Sequence, residues 1–334
     1  MMKRCSKTNI FIVLFLLFCY STLFTFSNIA IAEHKTIKIP LLDWSSQRVI
    51  SIAMGKIFSQ YQYEVTYQSM SEDVLWGALA RGRVHFQLEI WQASASNEFI
   101  GMLHKKRITD LGLHSALTIE DWWYPQYVEE LCPGLPDWKA LRGCAELFSE
   151  DGKSEGLYFT GPWPYRDAEL IRALKLNFRI QRHADSSDIW IKLKKAQAAK
   201  KPIMLLNWTP NWTDQRVKGE FVEFPKYTLE CETDPSWGVS PSIAFDCGNI
   251  RDGWIKKAAW SKFEDSFPCA YQFLSNIDLN NKMIAEAAAL VDYDGYTEDK
   301  AALLWLQKYQ QVVLSWVDKS CLPTHKKTAL KTEH

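Results

Sequence analysis

Three tryptophans of this chain, Trp91, Trp163 and Trp208, follow short segments that are typical of strands. Ligands of α/β proteins bind beyond the carboxyl ends of such strands, so these indole rings are expected to face one cleft. Indole faces attract cations, and a quaternary ammonium, which has no N–H group to donate, depends most on an aromatic cage. The pattern therefore predicts a site for a methylated cation.

Two blocks of alternating strands and helices are expected to position these rings. Each block has the order strand, helix, strand, helix, strand, which predicts a parallel sheet with right-handed crossovers. A segment with several prolines and no long periodicity, 122–148, separates the blocks and is interpreted as a crossing between two lobes. The expected strands are 37–41, 63–68 and 84–90 in the first block and 157–159, 178–181 and 203–206 in the second.

The part of the chain after residue 225 is rich in loops and then helical from about residue 284 to residue 316. A helical segment of this length is expected to pack back on the first block. The sequence therefore predicts an α/β protein with two Rossmann-like lobes and a cleft between them. Lobe 1 is expected to comprise 33–123 and 231–318, lobe 2 to comprise 124–230, and the C-terminal tail to comprise 319–334.

The first 32 residues have the organisation of a signal peptide. Three basic residues precede an apolar run at 10–20, and an A-x-A cleavage site ends at Ala32, before Glu33. A retained membrane anchor is the alternative, but the uninterrupted apolar stretch is shorter than a bilayer crossing requires. We therefore expect cleavage between Ala32 and Glu33 and a periplasmic location.

The charges of the whole chain are balanced, with 39 basic and 39 acidic residues. Removal of Lys3, Arg4 and Lys7 with the signal peptide would leave 36 basic residues against 39 acidic ones, a net charge of −3. Because the sequence has no basic stripe, nucleic acid and anionic membranes are not expected as partners. An exported, soluble monomer is expected.

Six cysteines remain in the predicted mature chain, and an even number in an oxidising compartment suggests disulfides. Two pairs bracket short loops rich in Pro or Gly, and we expect Cys132 to bond with Cys144 and Cys231 with Cys247. The spacing alone does not fix this connectivity, so the pairs are hypotheses.

The other two cysteines, Cys269 and Cys321, receive no assignment from the sequence. The chain has no C-x-x-C spacing, and neither zinc nor another metal is expected. It also lacks the G-x-S-x-G, H-E-x-x-H and Gly-rich phosphate-loop motifs, so no cofactor and no catalytic residue are expected.

Six short motifs carry a family resemblance that covers nearly the whole mature chain. They are Asp43-Trp44-Ser45-Ser46-Gln47-Arg48, Glu89-Ile90-Trp91, Glu120-Asp121-Trp122-Trp123-Tyr124-Pro125, Pro136-Asp137-Trp138, Asn207-Trp208-Thr209-Pro210-Asn211-Trp212 and Asp234-Pro235-Ser236-Trp237-Gly238. With them the chain resembles the periplasmic solute-binding proteins of glycine betaine ABC importers, which have the type II two-lobe fold. In that family three or four aromatic rings box the trimethylammonium group. The resemblance assigns this box to Trp91, Trp163 and Trp208, with Trp44 as a fourth wall.

Polar residues near the expected cage leave the identity of the ligand open. Free N–H groups of Ser45 and Ser46, at the start of the helix after Trp44, would suit a ligand carboxylate. Glu89 shares a strand face with Trp91, and a carboxylate there would repel a betaine but favour choline or trimethylamine N-oxide (TMAO). The alternative for Glu89 is a solvated or salt-bridged carboxylate.

Two classes of function compete. The first is a receptor that captures a quaternary ammonium osmolyte, closes its lobes and delivers the solute to an ABC permease in the inner membrane. Glycine betaine is the first candidate, followed by choline, carnitine, proline betaine and TMAO. The second is a secreted carbohydrate-active enzyme that would use carboxylates such as Glu89, Asp121 and Asp167. The repeated blocks and the tryptophans at strand ends favour the receptor.

Overall fold

The computed structural model describes residues 35–150 and 152–321. The predicted signal peptide lies outside the described residues, and so does the predicted C-terminal tail beyond residue 321. None of the helices within the described ranges has the length and apolar character that a bilayer crossing requires.

The described chain alternates strands with helices, as the sequence predicts for an α/β protein. The strands are β1 (Thr36–Leu41), β2 (Glu64–Ser69), β3 (Phe86–Trp91), β4 (Ile108–Pro125), β5 (Pro133–Pro136), β6 (Gly156–Thr160), β7 (Phe178–Arg182), β8 (Met204–Thr209), β9 (Gly219–Phe221) and β10 (Arg251–Trp260). The helices are α1 (Ser45–Gln60), α2 (Glu72–Ala80), α3 (Gln92–His104), α4 (Leu141–Cys144), α5 (Asp167–Ala173), α6 (Ser186–Ala199), α7 (Thr213–Arg216), α8 (Leu229–Thr233), α9 (Phe263–Ser266), α10 (Pro268–Asn276), α11 (Asn281–Asp292), α12 (Glu298–Lys308) and α13 (Gln310–Ser315).

The parallel arrangement predicted for the second block is confirmed. Strand β6 pairs in parallel with both β7 and β8, and helices α5 and α6 connect these strands. Local sequence sets the limits of α6. Asp185 caps its start by accepting the backbone N–H of Ser187 at 2.9 Å, and Lys200 ends it in the left-handed conformation.

The prediction for the first block is correct in part. Strands β1 and β2 form a parallel two-stranded sheet, as expected. Strand β3 instead lies in a separate seven-stranded sheet, where it pairs antiparallel with β10. No strand is predicted at β10 from the sequence, because the region after residue 225 has the pattern of loops followed by helices.

Strand β4 is the longest strand of the described chain and includes the first residues of the segment 122–148, which the sequence predicts as a crossing between lobes. Its first part pairs with β10, and its last part pairs with β8 and β9. Its residues Trp122 and Trp123 are therefore strand residues inside the larger sheet. Irregularities in the backbone of β4 interrupt the alternation of apolar and polar residues that would indicate a strand. Gly112 has a φ of +97°, and the register of β4 with β10 shifts three times.

Three disulfide bonds close loops of the described chain. Cys132 is bonded to Cys144 and Cys231 to Cys247, which are the two predicted pairs. A third bond joins the two cysteines that the sequence left unassigned, Cys269 and Cys321, across 52 positions. The exact limits of the two predicted lobes stay a prediction.

Candidate functional site: an aromatic cage

Four tryptophans line one cavity, and each lies at or near the end of a strand or the start of a helix. Trp44 directly precedes α1, and Trp91 ends β3 and directly precedes α3. Trp163 lies in the loop after β6, and Trp208 lies within β8. We call this space the cage cavity; its walls are Trp44, Glu72, Trp91, Ser94, Glu120, Trp163, Tyr165 and Trp208.

The indole rings of the cage meet at steep angles. The centroid of Trp163 lies 6.5 Å from that of Trp44 and 5.2 Å from that of Trp208, with interplanar angles of 73° and 77°. Each ring is at least 93% buried. Rings that stand at right angles present π faces from several directions, which is the arrangement that a desolvated cation requires.

A glycine makes this position of Trp163 possible. A Cβ atom at Gly161 would overlap the six-membered ring of Trp163, which folds back against its own loop. Arg182 supports the same loop, since its guanidinium donates to the carbonyl oxygens of Gly161 and Trp163. The turn after β6 is therefore specific for the residue pattern Gly-Pro-Trp.

More aromatic rings lie behind the cage. The ring of Trp190 lies 5.2 Å from that of Trp208 and 5.5 Å from that of Trp212. Trp212 in turn lies 5.8 Å from Tyr293. These contacts hold Trp208 from the side that faces away from Trp163. We call the series Trp44, Trp163, Trp208, Trp190, Trp212 and Tyr293 the aromatic chain.

A buried carboxyl group, Glu120, lies directly beside the cage. It is paired with Trp208 in the register of β4 and β8, so the two side chains share one face of the sheet. Its carboxylate accepts the Tyr165 hydroxyl at 2.6 Å and the backbone N–H of Ala93 at 3.2 Å. Burial raises the pKa of Glu120, although both hydrogen bonds act in the opposite direction.

A second carboxyl group, Glu72, completes the polar wall of the cage cavity. Its Oε2 atom is buried and has no hydrogen-bond partner among the described residues. Burial, and after it the charge of Glu120, raises the pKa of Glu72 to about 8. At neutral pH the group is therefore protonated and has an O–H to donate.

The three polar residues proposed from the sequence lie outside the walls of the cage cavity. Glu89 accepts the Trp44 indole N–H and the Ser46 hydroxyl, each at 2.8 Å. Ser45 donates its hydroxyl to Asp292 at 2.7 Å. Glu89 thus fixes the ring of Trp44 from behind. A direct contact of Ser45, Ser46 or Glu89 with a ligand stays a prediction.

Asp121 and Asp167, which were considered as carboxylates of an enzyme, accept hydrogen bonds from backbone N–H groups and from a buried indole. Asp121 accepts the backbone N–H groups of Trp122 at 2.8 Å and of Asn249 at 3.0 Å. Asp167 accepts the indole N–H of Trp122 at 2.8 Å. Burial raises the pKa of Asp121 to about 7 and that of Asp167 to about 6.

Substitution of Asp167 by Asn is expected to change the pH dependence of stability. The folded-state pKa of Asp167 is raised, so its favourable contribution is complete below pH 3.8 and is lost as the pH rises through about 6. Relative to wild type, Asp167→Asn should gain on the order of 2 kcal/mol in unfolding free energy between pH 4 and pH 7. Denaturant unfolding at both pH values measures this difference. An equal difference between the two proteins at both pH values would show that Asp167 has an ordinary pKa.

Four wall residues, Glu72, Ser94, Glu120 and Tyr165, are not among the site residues predicted from the sequence. Glu120 occurs in one of the quoted motifs, and its distance of two residues from Trp122 on a strand could have indicated a shared face. For Glu72 the sequence offers only an acidic residue in the first turn of a helix, which is common without any function.

Comparisons with known proteins identify the family of this chain. Residues 35–308 match the model of the family described as the substrate binding domain of ABC-type glycine betaine transport systems. The chain belongs to this family. A member from Pelagibacter ubique, the trimethylamine N-oxide-binding protein, is 33% identical over 288 residues, which are 83% of this chain and 89% of the relative. The family consists of substrate-binding proteins that serve ABC transporter permeases.

Solved structures of the same fold confirm the predicted fold class, that of type II periplasmic binding proteins. The glycine betaine/L-proline-binding protein ProX of Borrelia burgdorferi has a TM-score of 0.66 at 16% identity, covering 86% of this chain and 98% of its own. Lactococcal OpuAC in its closed form with glycine betaine has a TM-score of 0.64 at 16% identity, covering 85% and 100%. The chain is thus an extracytoplasmic-type solute-binding protein with a two-lobed α/β fold.

Proposed function

We propose that this protein is a periplasmic receptor that binds TMAO and delivers it to an ABC import permease in the inner membrane. The observation that carries the proposal is the combination of four indoles with two buried carboxyl groups around a single cavity. The indoles suit a methylated ammonium group, and the carboxyl groups suit a ligand whose other end is a single oxygen.

The cationic half of TMAO fits the four indoles. Each well-placed, desolvated indole contributes roughly 1–2 kcal/mol to the binding of a quaternary ammonium. Four of them supply a large part of the ~8 kcal/mol that a micromolar dissociation constant requires. The carboxylate of Glu120, which lies beside Trp208, adds attraction for the positive charge.

The polar half of TMAO is an oxygen that accepts hydrogen bonds and has no proton of its own. Glu72 has a buried oxygen without a partner among the described residues and a pKa of about 8. A protonated Glu72 therefore offers the O–H donor that the N-oxide oxygen needs. Binding of the ligand also gives the buried carboxyl group of Glu72 a hydrogen-bond partner. Glu72 would donate a hydrogen bond to the N-oxide oxygen, and Glu120 would face the positively charged methylammonium group.

Glycine betaine, the first candidate from the sequence, fits this cavity less well. Its carboxylate would face the carboxylate of Glu120 as well as the protonated Glu72, and the wall residues of the described cavity include no Lys, Arg or His. A buried anion without a cationic or N–H partner is unfavourable. The 33% identical relative, which is named for TMAO binding, supports the same order of ligands.

Closure of the two lobes would complete the cage. Trp44 and Trp91 belong to the predicted lobe 1, whereas Trp163 and Trp208 belong to the predicted lobe 2. Strand β4 pairs with β10 at one end and with β8 at the other, so it passes through the region where the lobes would hinge. We propose that a monomer opens here to admit the solute and then presents the closed form to the permease.

Isothermal titration calorimetry with five solutes tests the proposed ligand. The solutes are TMAO, glycine betaine, choline, carnitine and proline betaine. We expect TMAO to bind at least about tenfold more tightly than glycine betaine, because the unfavourable contact of two anionic groups costs about 1.4 kcal/mol or more. Tighter binding of glycine betaine than of TMAO would overturn the assignment of TMAO. If none of the five solutes binds, the proposal that this protein is a receptor for methylated ammonium compounds is wrong.

A further inference from the structure

A second cavity adjoins the cage cavity, and two residues form the boundary. Tyr165 and Ser94 line both spaces. Together with the space open to solvent, the cage cavity comprises about 290 Å³ and the second cavity about 1660 Å³. Ser94 has a small side chain, so the phenol ring of Tyr165 is the larger of the two side chains that line both spaces. The walls of the second cavity include Glu98, Arg166, Arg182, Tyr227 and Asn249.

Several contacts fix Tyr165 in this position. Its hydroxyl donates to Glu120 at 2.6 Å, and its backbone N–H donates to the carbonyl oxygen of Trp163 at 3.1 Å. Proline residues occupy both positions around Trp163 in the same loop, Pro162 and Pro164. The proline rings restrict the backbone, so the phenol has little freedom to swing away from the cage.

The second cavity has a different chemistry from the cage. Its walls carry charged groups of both signs, such as Glu98 and Glu232 opposed by Arg166 and Arg182. A polar and roomy space of this kind can hold water or the polar tail of a ligand. The head group of a longer ligand could stay among the indoles while the tail extended into this space, if the ring of Tyr165 were absent.

We propose that Tyr165 determines specificity by limiting the length of the substituent that a trimethylammonium ligand can carry. The inference rests on the proposed function of the cage. With the ring in place, only a short fourth substituent such as the oxygen of TMAO fits beside the three methyl groups. Without the ring, the cage cavity opens into the second cavity, and longer trimethylammonium compounds are accepted.

A series of n-alkyltrimethylammonium ions measures this length directly, from tetramethylammonium to heptyltrimethylammonium. Wild-type protein should lose at least about tenfold in affinity as the chain grows, because a rigid wall rejects each further methylene. Tyr165→Ala should remove most of this loss, and Tyr165→Val should do the same. Tyr165→Phe keeps the ring and should retain the wild-type preference for short chains. Calorimetry gives the affinities, and thermal melting identifies which variants are folded.

A control in the second cavity separates the effect of Tyr165 from that of the space behind it. Tyr227→Ala enlarges the second cavity at a position that does not line the cage, so its chain-length dependence should equal that of wild type. An unchanged chain-length dependence in both folded truncations, Ala and Val, would overturn the role of Tyr165. Loss of the length limit in Tyr165→Phe would also overturn it. If wild type binds neither TMAO nor tetramethylammonium, the proposed function itself fails.

Discussion

Replacement of Trp208 by alanine is expected to weaken TMAO binding at least about tenfold while the protein stays folded. Trp208 is the cage wall that contacts both Trp163 and Trp190, at 5.2 Å in each case. Its removal deletes one π face and admits water to the cation, so the loss exceeds the direct contribution of one ring. Calorimetry at neutral pH gives the dissociation constant, and a melting curve confirms the fold.

Trp260 offers a matched control for this substitution. It is a partly exposed tryptophan at the end of β10, where it stacks on His85 at 5.7 Å, and it does not line the cage cavity. Trp260→Ala should bind TMAO as wild type does. If Trp208→Ala retains wild-type affinity, or if Trp260→Ala loses as much as Trp208→Ala, the cage is not where the cation binds.

Replacement of Glu72 by alanine is expected to weaken TMAO binding by about tenfold to a hundredfold, because a hydrogen bond to a charged group contributes roughly 1.5–3 kcal/mol. The same change removes side-chain volume from the wall of the cage cavity, where the larger carboxylate group of glycine betaine would lie. The ratio of the TMAO and glycine betaine affinities should therefore shift towards glycine betaine. Titration of both solutes measures the ratio.

The neighbouring acid provides a control for the charge change. Asp73 follows Glu72 at the start of α2, is exposed, and accepts a hydrogen bond from Ser71. Asp73→Ala should leave the affinity ratio unchanged. A normal TMAO affinity in Glu72→Ala would show that another group donates to the oxygen.

The affinity for TMAO is also expected to depend on pH. The pKa of Glu72 is about 8, so the proton that it donates is present below pH 8 and is lost as the pH rises through that value. Binding of TMAO should weaken by about tenfold between pH 7 and pH 9. Tetramethylammonium, which accepts no hydrogen bond, should not weaken over this interval. Glu72→Gln stays a neutral donor at every pH, and its TMAO affinity should be flat.

The cage tryptophans could be predicted because strand ends are visible in the sequence. Trp91 follows the alternating segment 84–90 and Trp208 follows the apolar run 203–206, both of which indicate strands, and the structure brings both tryptophans to one cavity. The position of Trp163 could be predicted from the turn at Gly161-Pro162, and the overlap at Gly161 now explains the turn. For these tryptophans, the position expected from the local sequence is the position that the residue has in the site.

The polar wall could not be predicted, because it depends on contacts between residues that are distant in sequence. Glu120 becomes a wall residue through its pairing with Trp208, 88 positions later on β8. The sequence analysis contained no strand at β4, so this pairing was not available to it. Tyr165 likewise acquires its role from Glu120, and Glu72 from the way α2 packs beside the cage.

The aromatic chain has an optical consequence. Its successive rings lie 5.2 to 6.5 Å apart from Trp44 to Tyr293. Excitation energy migrates between tryptophan rings at such separations much faster than it is emitted, so the five tryptophans of the series share their excitation. Light absorbed deep in the interior by Trp190 or Trp212 would therefore report on a solute that neither ring touches.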